Sequence, residues 1–156
     1  MVGPTEPVRR PSADAAPAPE RTRFEPTPSP VAEPYWAATR EQRLVLPWCR
    51  TCGRAHWFPR EACPHCLSAD LEWRPAAGTG TVYAASTMPK PAMPMLAGRV
   101  PYVVALVDLA EGVRVMTNIV GSDPDEVVIG AAVQVAWEPL SDGRHLAVYT
   151  LVAPSP

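Results

Sequence analysis

Lysine is almost absent: Lys90 stands alone against thirteen arginines. With abundant alanine, proline and valine, that bias is a composition effect, and no arginine-specific chemistry is read from it. Long apolar runs are also missing. No stretch approaches the roughly 18 consecutive apolar residues that a membrane helix needs. Arg9 and Arg10 near the start have no apolar segment behind them, so no secretory signal is read there and the expected location is the cytoplasm. Phosphate-binding signatures are lacking as well: there is neither a P-loop nor a GxGxxG. The run Gly78-Thr79-Gly80-Thr81 is too short for a phosphate cradle. Only four cysteines occur, all between positions 49 and 66, and none is left over as a nucleophile. Ser86 has no base near it in sequence, and His145 beside a hairpin reads as a solvated turn residue. An independent enzyme is not expected.

The 156 residues allow one ordinary domain or two very small ones. Nine prolines fall in the first 34 residues, where aliphatic periodicity is lacking. Proline fixes φ, removes a donor and pushes its predecessor out of the helical region. Residues 1–32 are therefore expected to be a disordered, solvated tail; a docking peptide in polyproline form is the functional alternative. The formal charge of −2 divides unevenly, with −1 over residues 1–39, +2 over 40–74 and −3 over 75–156.

From residue 33 the pattern turns helical. Pro34 suits a first helical turn, Glu33 places negative charge at the N-terminus, and Arg40 and Arg43 sit near the C-terminus, predicting a helix over 33–43 anchored by Tyr35 and Trp36. Short strands are predicted at 44–46, 55–59 and 71–74. Five runs rich in Val, Tyr and Thr, at 82–87, 102–109, 113–120, 133–138 and 146–152, predict an all-β C-terminal part. Ala110-Glu111-Gly112 and Ser141-Asp142-Gly143 read as tight turns. Residues 123–129 form either one helical turn or a loop. Gly78 and Gly80 stand where a small barrel must bend. Five strands in about 75 residues suit a Greek-key barrel of the OB type, with an open five-stranded sandwich as the competitor. The expected fold is mainly β. An N-terminal helix and a small cysteine-bearing unit at 33–75 precede a five-stranded OB-fold barrel at 76–153.

The strongest motif is Cys49-x2-Cys52, ten residues, then Cys63-x2-Cys66. Two CxxC pairs supply four thiolates, and zinc favours four ligands in a tetrahedron. Gly53 can take the positive φ of such a knuckle, and Pro64 stiffens the second one. Two disulfides would need an oxidising compartment, and a redox CxxC would sit in a βαβ setting that is not seen here. Rubredoxin-type iron uses the same ligands, and spacing does not separate it from zinc. His56 and His65 are bystanders to a shell that four cysteines complete. A site filled by protein leaves no position for water, so the metal is structural. It would hold together a segment too small to bury its own core.

A zinc ribbon joined to an OB barrel suggests single-stranded nucleic acid, which is the alternative function. Such binding leans on phosphate neutralisation by Lys and Arg. A barrel region at −3 argues against it, although Tyr83, Tyr102, Trp137 and Tyr149 could offer stacking platforms.

The segments LVLPWCRTCGRAHWFPREACPHC, GTGTVYAAST, PYVVALVDLAEGVRVMTNIVG and IGAAVQVAWEPL, in this order, resemble the family known as domain of unknown function 35. The resemblance covers roughly residues 33–153 and implies a rubredoxin-like zinc ribbon, with the N-terminal helix at 33–75, followed by an OB fold at 76–153. It implies a non-catalytic scaffold subunit that associates with thiolase-like or ketosynthase-like enzymes acting on acyl-CoA thioesters. Steroid side-chain aldolases are among the assemblies in which similar proteins occur. It matches Cys49, Cys52, Cys63 and Cys66 to the family's metal ligands. Residues 88–101, with KPAMPMLAGRVP at their heart, fall in the loop between the first two barrel strands. Prolines, methionines and little charge suit an adaptable contact surface. Met93 and Met95 would meet the partner, while Lys90 and Arg99 would meet a CoA phosphate; an ordinary loop packed on the barrel is the competing reading. Two departures from the family pattern stand out: a longer N-terminal tail, and no fused hydratase-like domain, so partners are expected to be separate chains.

Overall fold

A computed structural model describes residues 24–153 of the chain. The element order is helix α1 (Glu33–Arg40), strands β1 (Val45–Cys49) and β2 (Leu71–Pro75), then β3 (Thr79–Met88), β4 (Tyr102–Leu109), β5 (Arg114–Ile119), β6 (Ala132–Pro139) and β7 (His145–Leu151). Most of the tail expected over 1–32 lies outside the described residues. Its last part is tied down: a 3-10 turn spans Pro30–Ala32, and Ser141 donates from its backbone N–H (2.9 Å) and its hydroxyl (2.6 Å) to the Glu25 carboxylate.

Helix α1 opens with Pro34 in its first turn and Glu33 at its positive end. It stops at Arg40, three residues before the expected end, because Gln42 takes a left-handed φ of 54°. Tyr35 and Trp36 are buried, as their pattern suggests. The helix is locked to the far end of the chain. Arg40 Nη1 donates to the Asp142 carbonyl (2.6 Å), and His145 Nδ1 lies 2.9 Å from the Thr39 carbonyl. A carbonyl only accepts, so Nδ1 carries the proton and Nε2 accepts from the Gln42 amide at 3.3 Å. His145 is thus a half-buried strut between helix and barrel; the solvated-turn reading is corrected by a partner 106 residues away in sequence.

β1 and β2 pair antiparallel in a two-stranded sheet, Val45 opposite Pro75 and Cys49 opposite Leu71. The strand expected at 55–59 does not form. Only a single bridge between Trp48 and Ala55 remains, because the chain there turns at once toward the second cysteine pair.

The remaining five strands close into a barrel in the order β3-β4-β5-β7-β6. Antiparallel pairs are completed by one parallel contact, Ile119 with Tyr149. This is the OB arrangement, and the open sandwich is excluded. Side chains alternate across each strand, so β4 sends Val103, Ala105, Val107 and Leu109 inward, where they meet Val82, Val115, Ile119, Val133 and Tyr149. The core runs without a break into Tyr35, Trp36 and Leu44–Leu46 of the helix and β1. At Gly78, φ is +72° and a Cβ would fall inside the envelope of Val135 Cγ1, so only glycine fits where the chain enters the barrel. The ambiguous 123–129 segment contains one 3-10 turn, Pro124–Glu126, with a capping box between Asp123 and Glu126. Among the described residues no helix is long and apolar enough to cross a membrane.

Candidate metal centre and the loop between β3 and β4

The two CxxC pairs fold into matched knuckles. The Cys49 carbonyl accepts from the Gly53 N–H, and the Cys63 carbonyl accepts from the Leu67 N–H, both at 2.9 Å. In each pair the residue after the second cysteine takes positive φ, 65° at Gly53 and 62° at Leu67. Glycine does so freely, whereas a leucine there carries a steric cost of about 1–2 kcal/mol. The sequence reading singled out Pro64 in the second knuckle and missed Leu67, although the repeat itself points to that position.

The knuckles bring all four sulfurs within 4.8 Å of one another. Cys49 Sγ is 3.6 Å from Cys66 Sγ, and Cys52 Sγ is 3.7 Å from Cys63 Sγ. A tetrahedron of Zn–S bonds near 2.3 Å has edges of about 3.8 Å, so these spacings are those of ligands around one ion. No disulfide joins them. Backbone N–H groups point at the sulfurs, as rings of thiolates require. The Cys52 amide at Cys49 Sγ leads the effects that push that thiol down to about 7, while burial pushes Cys52 up to about 12. His65 donates its N–H toward Cys63 Sγ at 3.4 Å. Four thiolates in this geometry fit structural zinc, and Cys49, Cys52, Cys63 and Cys66 would hold it. The metal would supply cross-linking between the knuckles.

Burial across the site is graded: Cys49 and Cys63 are enclosed, Cys52 is half-buried and Cys66 is exposed. Charged side chains brace the outer edge. Arg50 Nε bonds Glu72 Oε2 at 2.7 Å, and Arg74 joins the same carboxylate while stacking on Trp48. The Arg50 hydrogen bond, followed by that of Arg74, holds the Glu72 carboxyl below its ordinary range. His65 is exposed and His56 is buried, and neither imidazole belongs to the sulfur cluster. Both ring nitrogens of His56 lack a hydrogen-bond partner, and burial lowers its pKa.

The loop between β3 and β4 holds a 3-10 helix over Pro94–Arg99. Met93 and Met95 are each 42% exposed. Lys90 is exposed. Arg99 behaves differently: its guanidinium makes a bidentate pair with Glu138 on β6, so its charge is already balanced. Under the loop, at the mouth of the barrel, lies a cavity of about 550 Å³ with Phe24, Met93, Leu96, Arg99 and Ser122 in its walls. The aromatic residues weighed as stacking platforms do not share one surface: Tyr149 is core, Tyr102 and Trp137 are half-buried, and Tyr83 lies exposed under Arg114.

A four-cysteine ribbon on a closed OB barrel defines the molecule as a zinc-ribbon protein with an appended small barrel. The ribbon, residues 36–72, matches the family described as "ChsH2, rubredoxin-like zinc ribbon domain". Residues 73–138 match "ChsH2, C-terminal OB-fold domain". A "DUF35 domain-containing scaffold protein" of Methanocaldococcus jannaschii is 32% identical over 120 residues, 74% of this chain and 82% of the relative. The chain belongs to the DUF35 family. A "probable enoyl-CoA hydratase alpha subunit" of Thermomonospora curvata is 40% identical over 123 residues, 77% of this chain but only 37% of that longer relative. Among solved structures, one described as "Ltp2-ChsH2(DUF35) aldolase" superposes with a TM-score of 0.73 at 37% identity, over 81% of this chain and 98% of the other.

Proposed function

We propose that this chain is a cytoplasmic, non-catalytic accessory subunit: it binds a thiolase-like or ketosynthase-like enzyme and supports that enzyme's acyl-CoA chemistry, in lipid or steroid side-chain degradation. The observation that carries the reading is the likeness, over 98% of its length, to the DUF35 component of a structure described as an aldolase together with Ltp2. The hydratase-subunit and scaffold names of the two relatives agree with it. Residues 33–75 form the helix and ribbon unit in this reading, and 76–153 the barrel.

The loop between β3 and β4 reaches toward the enzyme. Met93 and Met95 offer polarizable side chains that adapt to an apolar surface, and Lys90 supplies a cation near a CoA phosphate. Arg99 contributes by holding the loop against Glu138 at the edge of the contact. The barrel region at −3 disfavours the competing reading as a single-stranded nucleic-acid binder.

The test is a native pull-down through a tag on the full chain in its source cells, with mass spectrometry of what co-elutes. The expected result is one thiolase-like enzyme at near-equal stoichiometry, and no acyl-CoA turnover by the chain alone. Recovery of nuclease-sensitive nucleic acid with no such enzyme, or salt-sensitive affinity for oligonucleotides, would replace this reading with the other one.

A further inference from the structure

Across the outer surface of β3, β4 and β5 and the loop beside β3 runs a band of apolar side chains that is largely open to solvent. Met116 is 67% exposed, Ile129 74%, Val128 58% and Tyr83 50%. The register makes them neighbours. Ala84, Leu106 and Met116 form one cross-strand row. The Gly130 N–H donates to the Val82 carbonyl at 2.8 Å and the Val82 N–H to the Ala131 carbonyl at 2.9 Å, which lays the loop bearing Ile129 alongside β3 next to Tyr83.

At the middle of the band a polar anchor is already set. The Arg114 guanidinium sits 3.2 Å above the Tyr83 ring and is held in place by a bidentate pair with Asp108 at 2.6 and 2.9 Å. Exposed apolar residues scattered singly need no explanation. Methionine, tyrosine and arginine gathered in one place, with the arginine fixed beforehand, have the make-up of an interface core. A pinned side chain also loses little entropy when it is covered. The loop that carries Val128 and Ile129 also carries exposed Asp123, Asp125 and Glu126, two to six residues earlier in the chain, which gives that side of the band an acidic border.

We propose that this band is the face on which the enzyme partner docks, and that the partner presents an apolar ridge flanked by lysine or arginine. The inference rests on the accessory-subunit reading and deepens it: the band holds the partner while the loop between β3 and β4 reaches for its substrate. A second copy of this chain fits poorly, because the cation within the band, Arg114, is already balanced by Asp108 and offers the acidic border nothing. Nucleic acid is repelled by the same border.

The test uses the thiolase-like enzyme recovered with the tagged chain, purified and titrated against variants of the full chain. Met116→Glu and Ile129→Glu put a charge on residues more than two-thirds exposed, so circular dichroism and zinc content should stay at wild-type values. Each is expected to weaken Kd by at least about tenfold, as loss of a central contact does. Asp125→Lys should weaken it a few-fold, more at low salt than at high salt. Arg114→Ala gives an independent loss without adding charge. Wild-type affinity, within about twofold, in both glutamate variants would overturn the docking face. If Met93→Glu and Met95→Glu then abolish binding instead, the accessory reading survives and the loop is the docking site. Failure of the wild-type chain to recover any such enzyme removes both the reading and the face.

Discussion

The cysteine-bearing tip of the ribbon and the barrel are held by different forces. In the tip, between Cys49 and Asp70, the buried side chains are Cys49, Ala55, His56 and Cys63, two of which belong to the cluster suited to zinc and one a histidine whose ring nitrogens lack partners. The barrel closes over an unbroken apolar interior of Val82, Val103, Val107, Val115, Val133 and Tyr149. Coordination does for about twenty residues what burial does for eighty. The tip accordingly tolerates a cost not seen among the described residues of the barrel, a leucine at positive φ.

The largest effect should come from breaking the first of these forces. Cys63→Ser removes an enclosed ligand, and structural zinc is worth on the order of 10 kcal/mol to a small ribbon. The variant should purify without zinc and show the fluorescence of Trp48 and Trp57 shifted toward solvent, while circular dichroism retains most of the strand signal. Breaking the second force has the reverse pattern. Val107 is 0% exposed at the centre of β4, and Val107→Ala should cost about 2 kcal/mol in denaturant unfolding with zinc content unchanged.

Two smaller predictions sharpen the comparison inside the tip. His56→Leu removes buried nitrogens that lack partners and should raise stability by about 1 kcal/mol. Burial holds the His56 pKa below its ordinary 6.5. The unfolded chain therefore takes up a proton near pH 6.5 that the folded chain refuses, and stability present above that pH falls as the medium is acidified through it. Wild type should show this loss and His56→Leu should lack that part of it, as urea midpoints between pH 5 and 8 would record. Leu67→Gly should bring a gain of under about 1 kcal/mol, because relief of the left-handed strain is partly offset by the greater freedom of glycine when unfolded.

What could be read without coordinates follows from how local each feature is. The metal site is written in four positions within 18 residues, and its knuckle geometry follows from the two-residue spacing. The barrel strands show as runs rich in Val, Tyr and Thr, but in β4 the outward Val104 and Leu106 are as apolar as their inward neighbours, so the core face does not show in the sequence. The features that escaped depend on partners far along the chain. His145 meets Thr39, and Glu25 meets Ser141 116 residues away. Arg114 finds Tyr83 across an intervening strand. Helix α1 stops early because Gln42 turns to reach His145, and no residue near Arg43 announces that. The expected strand at 55–59 failed for the opposite reason: its local β pattern lost to the pull of the second knuckle.

Amide hydrogen exchange on the full chain, followed before and after zinc is withdrawn with a chelator, tests the division of labour most directly. Exchange should accelerate across residues 49–70 once the metal is gone, while the amides of β4 keep their protection. If β4 loses protection in step with the tip, or if the tip stays protected without metal, the two regions are not held by separate forces.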